Sequence, residues 1–149
     1  MPRTRRWLVL AGLLAAGLQL TACTEQTAEA DGATSEPATV EDVAGSDVSR
    51  LSLTAQAVDR LGIETAPVRR ATVEGRARTV VPYGAVLYDA AGATWVYVTD
   101  KPRSYLRERI TVDDIEDGRA VLTDGPPEGT AVVSVGAAEL YGTEFGVGH

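Results

Sequence analysis

Short alternating runs of hydrophobic and polar residues fill positions 51–141, and this period of two predicts strands rather than long helices. Leu51-Ser52-Leu53 opens a strand. Thr54 is placed to cap a short helix that runs to about Leu61, with Gly62 supplying the left-handed position after it and Ile63 folding back on Val58. Residues 63–68 and 71–81 then read as two strands joined at Arg69-Arg70. The second sets Val73, Gly75, Ala77 and Thr79 on a dry side and Glu74, Arg76 and Arg78 on a wet one. Four more strands are predicted at 84–88, 94–99, 105–112 and 119–123, separated by turns at 89–92, 100–102 and 116–118. In the third of these, Leu106, Ile110 and Val112 alternate with Arg107, Arg109 and Thr111, which predicts a sheet with one polar face. After the break Asp124-Gly125-Pro126-Pro127-Glu128-Gly129, residues 130–135 read as a buried strand. Residues 136–141 make a closing helical turn, and 142–149 a frayed tail. The expected fold is mainly β: a small β-roll or barrel-like domain of about seven strands with one or two short helices.

The amino terminus has another pattern. Arg3, Arg5 and Arg6 precede an apolar run over residues 7–20, broken only by small residues and Gln19. Fourteen helical residues reach about 21 Å, short of a ~30 Å hydrocarbon core, so the run fits a signal peptide rather than a spanning helix. Leu20-Thr21-Ala22-Cys23 follows and resembles the bacterial lipobox, which implies that cleavage after Ala22 leaves Cys23 as an acylated first residue carrying palmitate-type chains. Residues 23–50 hold seven acids among Ala, Thr, Ser and Gly. That composition predicts a disordered acidic tether: residues 24–50 span about 29 Å as a coil and about 90 Å when stretched. The expected organisation is therefore signal peptide at 1–22, tether at 23–50, folded domain at 51–141 and tail at 142–149.

Charge narrows the function. The chain carries 14 basic and 21 acidic residues, a net −7. Removing residues 1–22 takes three Arg and leaves −10, which argues against nucleic acid as a partner. One Cys, one Met at the initiator position and one His at the last residue leave no set of soft metal ligands and no internal imidazole base. The Ser residues thus lack the base a nucleophile needs, and neither an enzyme nor a cofactor or metal site is expected. Four acids at Asp113, Asp114, Glu116 and Asp117 lack the spaced ligands and Gly bend of a hard-cation loop, and they read as a solvated acidic turn.

Two separated segments match a known pattern. The first is Leu51-Ser52-Leu53-Thr54 with Leu61-Gly62-Ile63-Glu64-Thr65-Ala66-Pro67-Val68. The second joins Val81-Pro82-Tyr83-Gly84-Ala85-Val86, Trp95-Val96-Tyr97-Val98, Arg109-Ile110-Thr111-Val112 and residues 125–135. Together they resemble the opening and the C-terminal membrane-proximal domain of the periplasmic adaptor subunits (membrane fusion proteins, HlyD-like) of RND-type efflux transporters, the heavy-metal branch above all. That family places a β-barrel, a lipoyl domain and a helical hairpin between the two segments. Here Arg78 passes to Val81 with nothing between, so bridging to an outer-membrane channel is not implied. Metal handling is not implied either, since the mature chain has no Met thioether.

The resemblance implies a lipid-anchored accessory subunit on the extracytoplasmic (periplasmic) face of the cell membrane, taking part in efflux transport. Its partner would be an integral membrane transporter of RND or ABC type. A stand-alone lipoprotein binding a small ligand or a cell-wall component is the alternative. Cys23 is the lipidation residue. Lys101, Arg103, Tyr105, Arg107 and Arg109 form the one locally basic, aromatic-bearing stretch of an acidic chain, and they are the candidate partner-binding residues. For Arg107 and Arg109 the competing expectation is a merely wet sheet face, and for Trp95 with Tyr97 it is core packing.

Overall fold

The structure, a computed structural model, describes residues 36–146. The signal peptide, Cys23, tether residues 23–35 and the last three residues of the tail lie outside the described residues.

Ten strands and two helices follow one another: β1 (Ala38–Asp42), β2 (Ser49–Leu53), α1 (Ala55–Leu61), β3 (Glu64–Pro67), β4 (Arg69–Val73), β5 (Arg76–Pro82), β6 (Leu87–Tyr88), β7 (Thr94–Lys101), β8 (Ser104–Glu116), β9 (Arg119–Asp124), β10 (Ala131–Val135) and α2 (Ala137–Glu144). A 3-10 turn, Tyr83–Ala85, links β5 to β6. The sheet runs β3-β10-β7-β8-β9-β5-β4, with β2 attached to β8, β1 to β2 and β6 to β7. Every pairing is antiparallel. The fold is mainly β: a curled sheet with two short helices.

Two features curl it. β3 and β4 stand at opposite ends of the strand order yet are separated by Val68 alone. Val68 still bonds to the β10 side, its N–H donating to the Thr130 carbonyl at 2.8 Å, whereas Arg69 already pairs with Val80. One continuous stretch of chain thus changes partners at a buried valine. β8 changes partners likewise: its first half pairs with β7, its second half with β9, and the register shifts near Val112 mark the bend. The space so enclosed is filled by Val68, Val81, Ala85, Val96, Ile110, Ala120, Leu122 and Val132. A second core under the helices gathers Leu51, Leu53, Ala57, Tyr97, Tyr105, Val133, Ala137 and Leu140.

The entry helix follows its sequence signals. Thr54 is extended, and its Oγ1 accepts from the Ala57 N–H at 3.1 Å. Gly62 takes the left-handed conformation with φ 63°, and the Ile63 N–H closes on the Val58 carbonyl.

Several boundaries differ from the sequence expectation. Among the described residues the first strand, β1, starts thirteen residues before the expected domain start, because residues 38–42 pair with residues 53–49. Four of the five β1 residues are exposed, so its order comes from backbone bonds rather than burial, and composition does not register it. The turn expected at Arg69-Arg70 lies at Glu74-Gly75 instead, and both Arg residues sit exposed on β4. Glu74 and Gly75 both have positive φ, 49° and 76°, the geometry of a two-residue hairpin turn that follows strand twist. Gly75 fitted the alternation by size alone. Finally, residues 142–144, expected in the tail, complete α2, and Phe145 caps it.

Candidate functional site

α2 is fastened to the sheet by Glu144. Its carboxylate accepts from Arg107 Nε at 3.1 Å and Nη2 at 3.1 Å, from the Tyr97 hydroxyl, and from the Ser49 backbone N–H at 3.4 Å. One carboxylate thereby ties the last helix to β8, β7 and β2. The Arg107 and Glu144 side chains are only 6% and 3% exposed. A buried ion pair survives desolvation only when the remaining donors and acceptors are also used, and these are: among the described residues no buried side-chain nitrogen or oxygen lacks a partner.

Arg107 is also stacked. Its guanidinium carbon lies 4.3 Å from the Trp95 ring centre, 5.2 Å from Phe145 and 6.0 Å from Tyr141. Tyr141 and Phe145 contact each other with ring centres 4.6 Å apart. The same rings, with Arg107, Asp47 and Asp89, wall a shallow cavity of about 340 Å³. Asp89 shapes its mouth: Oδ1 accepts from the Ala91 and Ala93 N–H groups and Oδ2 from the Trp95 indole N–H, each at 2.9 Å. The indole bond, then the backbone bond from Ala93, hold the Asp89 carboxyl below the usual carboxylate range. Burial, followed by the bond to Glu144 and its charge, pushes the Tyr97 phenol far above its ordinary value. The hydrogen bonds from Ser49, Tyr97 and Arg107 to Glu144 make this cluster one that positions a helix.

The five candidate partner-binding residues do not share one exposed face. Lys101 and Arg103 are exposed at the β7–β8 turn, where Arg103 adopts φ 61°. Tyr105 is 4% exposed and belongs to the core under the helices. Arg107 is buried in the Glu144 network, contrary to the expectation of a wet face. Arg109 is exposed, with its guanidinium 5.6 Å from Trp95. Residues 105, 107 and 109 do point the same way, but α2 covers the first two. The sequence signal for this was Tyr141, Glu144 and Phe145 at helical spacing, obscured by the Gly residues around them. Trp95 and Tyr97 pack as expected, Tyr97 completely buried. In the acidic run, Asp113 pairs with Arg78 and Asp117 with Arg119 at 3.5 Å, all four acids being exposed. Among the described residues no group of three or more His, Cys, Asp or Glu is arranged to hold a metal, and no helix is long and apolar enough to cross a membrane.

No family model and no curated protein matches the sequence. Among solved structures, the chain is similar to the NMR structure of a 180-residue piece of SilB from Cupriavidus metallidurans CH34, which comprises its N-terminal metal-binding site and membrane-proximal domain. The identity is 21% and the TM-score 0.45, over 59% of this chain and 51% of that one. The match spans about half the length of that structure.

Proposed function

We propose that the protein is a lipid-anchored, extracytoplasmic and non-catalytic adaptor-like subunit that docks on a membrane exporter of RND or ABC type, with Cys23 as its anchor. The observation that carries the reading is the way the two adaptor-like segments combine. The opening segment supplies β2 and β3, which pair with β8 and β10 of the closing segment; Leu51 lies opposite Tyr105 and Ala66 opposite Val132. Between the segments the chain makes only the β4–β5 hairpin, with its two-residue turn. A discontinuous membrane-proximal domain needs that interleaving, and a hairpin in place of the inserted modules leaves it self-contained. Of the candidate contact residues, Lys101, Arg103 and Arg109 are the exposed ones, and we assign them to the transporter or to anionic headgroups beside it.

Crosslinking the intact lipoprotein in cells, with mass spectrometry of what it captures, tests this reading. Recovery of an integral membrane exporter is expected, and recovery of monomer alone would overturn it. Cys23→Ser should move the protein from the membrane pellet to the soluble fraction; a variant that still sediments with membranes would remove the anchor from the proposal.

A further inference from the structure

The fastening of α2 leaves Arg107 with donors unspent. Nε and Nη2 both donate to Glu144, whereas Nη1 donates to no described residue. The Arg107 side chain is only 6% exposed, yet among the described residues no buried side-chain nitrogen lacks a partner. Nη1 therefore meets accessible space, and the space that Arg107 lines is the cavity of about 340 Å³. That volume stands at the lower end of cavities that hold small molecules, ~300 Å³ and upward. Around the unspent donor stand the rings of Trp95, Tyr141 and Phe145, the last of them 50% exposed. Asp47, from the β1–β2 loop, lines the cavity, and Arg109 stands beside Trp95. Both are exposed, and neither joins an ion pair among the described residues. The site thus offers a nearly buried donor, apolar ring faces, and one acceptor and one donor group at its rim.

We propose that this cavity binds an N-acetylated sugar, its acetamido carbonyl accepting from Arg107 Nη1. A free anion suits the site poorly: the carboxylates of Glu144, Asp89 and Asp47 outnumber the guanidiniums of Arg107 and Arg109, and Glu144 already holds one edge of Arg107. A cation suits it no better, because the Arg107 guanidinium itself lies over the Trp95 and Phe145 rings. A neutral carbonyl takes the donor without adding charge beside Glu144, and the acetamido methyl and the C–H face of the sugar ring rest on the aromatic walls. The hydroxyl groups, each a donor and an acceptor, meet Asp47 and Arg109 at the rim. Asp89 is a positioning residue: it already accepts from the Ala91 and Ala93 N–H groups and from the Trp95 indole, so it holds the ring on which the sugar lies. The proposal stands apart from the exporter reading, because sugar binding and capture of a transporter are separate measurements.

The test titrates the full-length chain, in a detergent without a sugar headgroup, with N-acetylglucosamine and follows it by NMR. Saturable shifts of the Trp95 indole N–H and the Arg107 Nε–H are expected, with a Kd of about 10 mM or tighter and saturation transfer strongest at the acetamido methyl. Glucose, which lacks the acetamido group, should bind at least about tenfold more weakly, and so should acetate. Phe145→Ala removes an aromatic wall and Asp47→Ala a rim acceptor. Each should weaken binding about tenfold while circular dichroism stays native. If Phe145→Ala disturbs the end of α2, Asp47→Ala, at an exposed loop position, carries the test alone. No saturation by about 50 mM, equal affinity for glucose or for acetate, or full binding by the natively folded Asp47→Ala variant would overturn the proposal.

Discussion

Two Arg–carboxylate pairs of the same chemistry sit in opposite surroundings. Arg107 and Glu144 are buried beneath α2, whereas Arg78 and Asp113 bridge β5 and β8 with side chains 25% and 49% exposed. The first pair is held by four elements and three aromatic rings. The second spans the end of the sheet where only Val73, Val80 and Val121 form a buried cluster. Burial raises both the Coulomb attraction and the cost of losing a partner, so one pair is an obligatory fastening and the other a minor surface contact. The helix end of the domain is consequently the cooperative part, and the β4–β5 end is where local opening should be cheapest.

Breaking each pair sharpens this contrast. Glu144→Ala strands a buried guanidinium and should cost about 3–5 kcal/mol in urea unfolding; a loss below about 1 kcal/mol would show that α2 is not fastened as described. An intermediate effect comes from alkali. The Tyr97 phenol has a raised folded pKa, so its contribution is fully present below the unfolded value near 10 and is lost as pH rises above it. Stability should then fall by about 1.4 kcal/mol per pH unit for this group, and Tyr97→Phe should flatten that part of the slope, leaving a smaller part from Tyr105, which burial also raises. An unchanged alkaline profile in Tyr97→Phe would place the titration elsewhere. The smallest effect belongs to the exposed pair: Asp113→Ala should cost under about 1 kcal/mol, and what change occurs should vanish in high salt.

Local chemistry made much of the fold legible. Thr54 and Gly62 delimit α1 by satisfying terminal backbone groups within a few residues, and Asp117-Gly118 turns β8 into β9 with φ values of 49° and 73°. Such signals need no distant partner. The candidate site was less legible, because its decisive residues are 37 positions apart. Arg107 alternates with Leu106 as a wet-face residue should, and only the arrival of Glu144 across the strand makes burying it tolerable. β1 was hidden for a related reason: Thr39, Glu41 and Asp42 have no apolar face to announce, and their order depends on β2 offering its backbone.

What the sequence by itself determined is the strand-rich pattern, the capped helix and the acidic charge, since each is written in neighbouring residues. What only the tertiary structure decided is which of those strands meet, that β3 and β4 close toward each other around Val68, and that an apparent surface arginine becomes the fastening of the last helix. Pairing and burial join residues far apart in the chain, and a side chain's surroundings, rather than its type, fix whether its charge faces water or a partner.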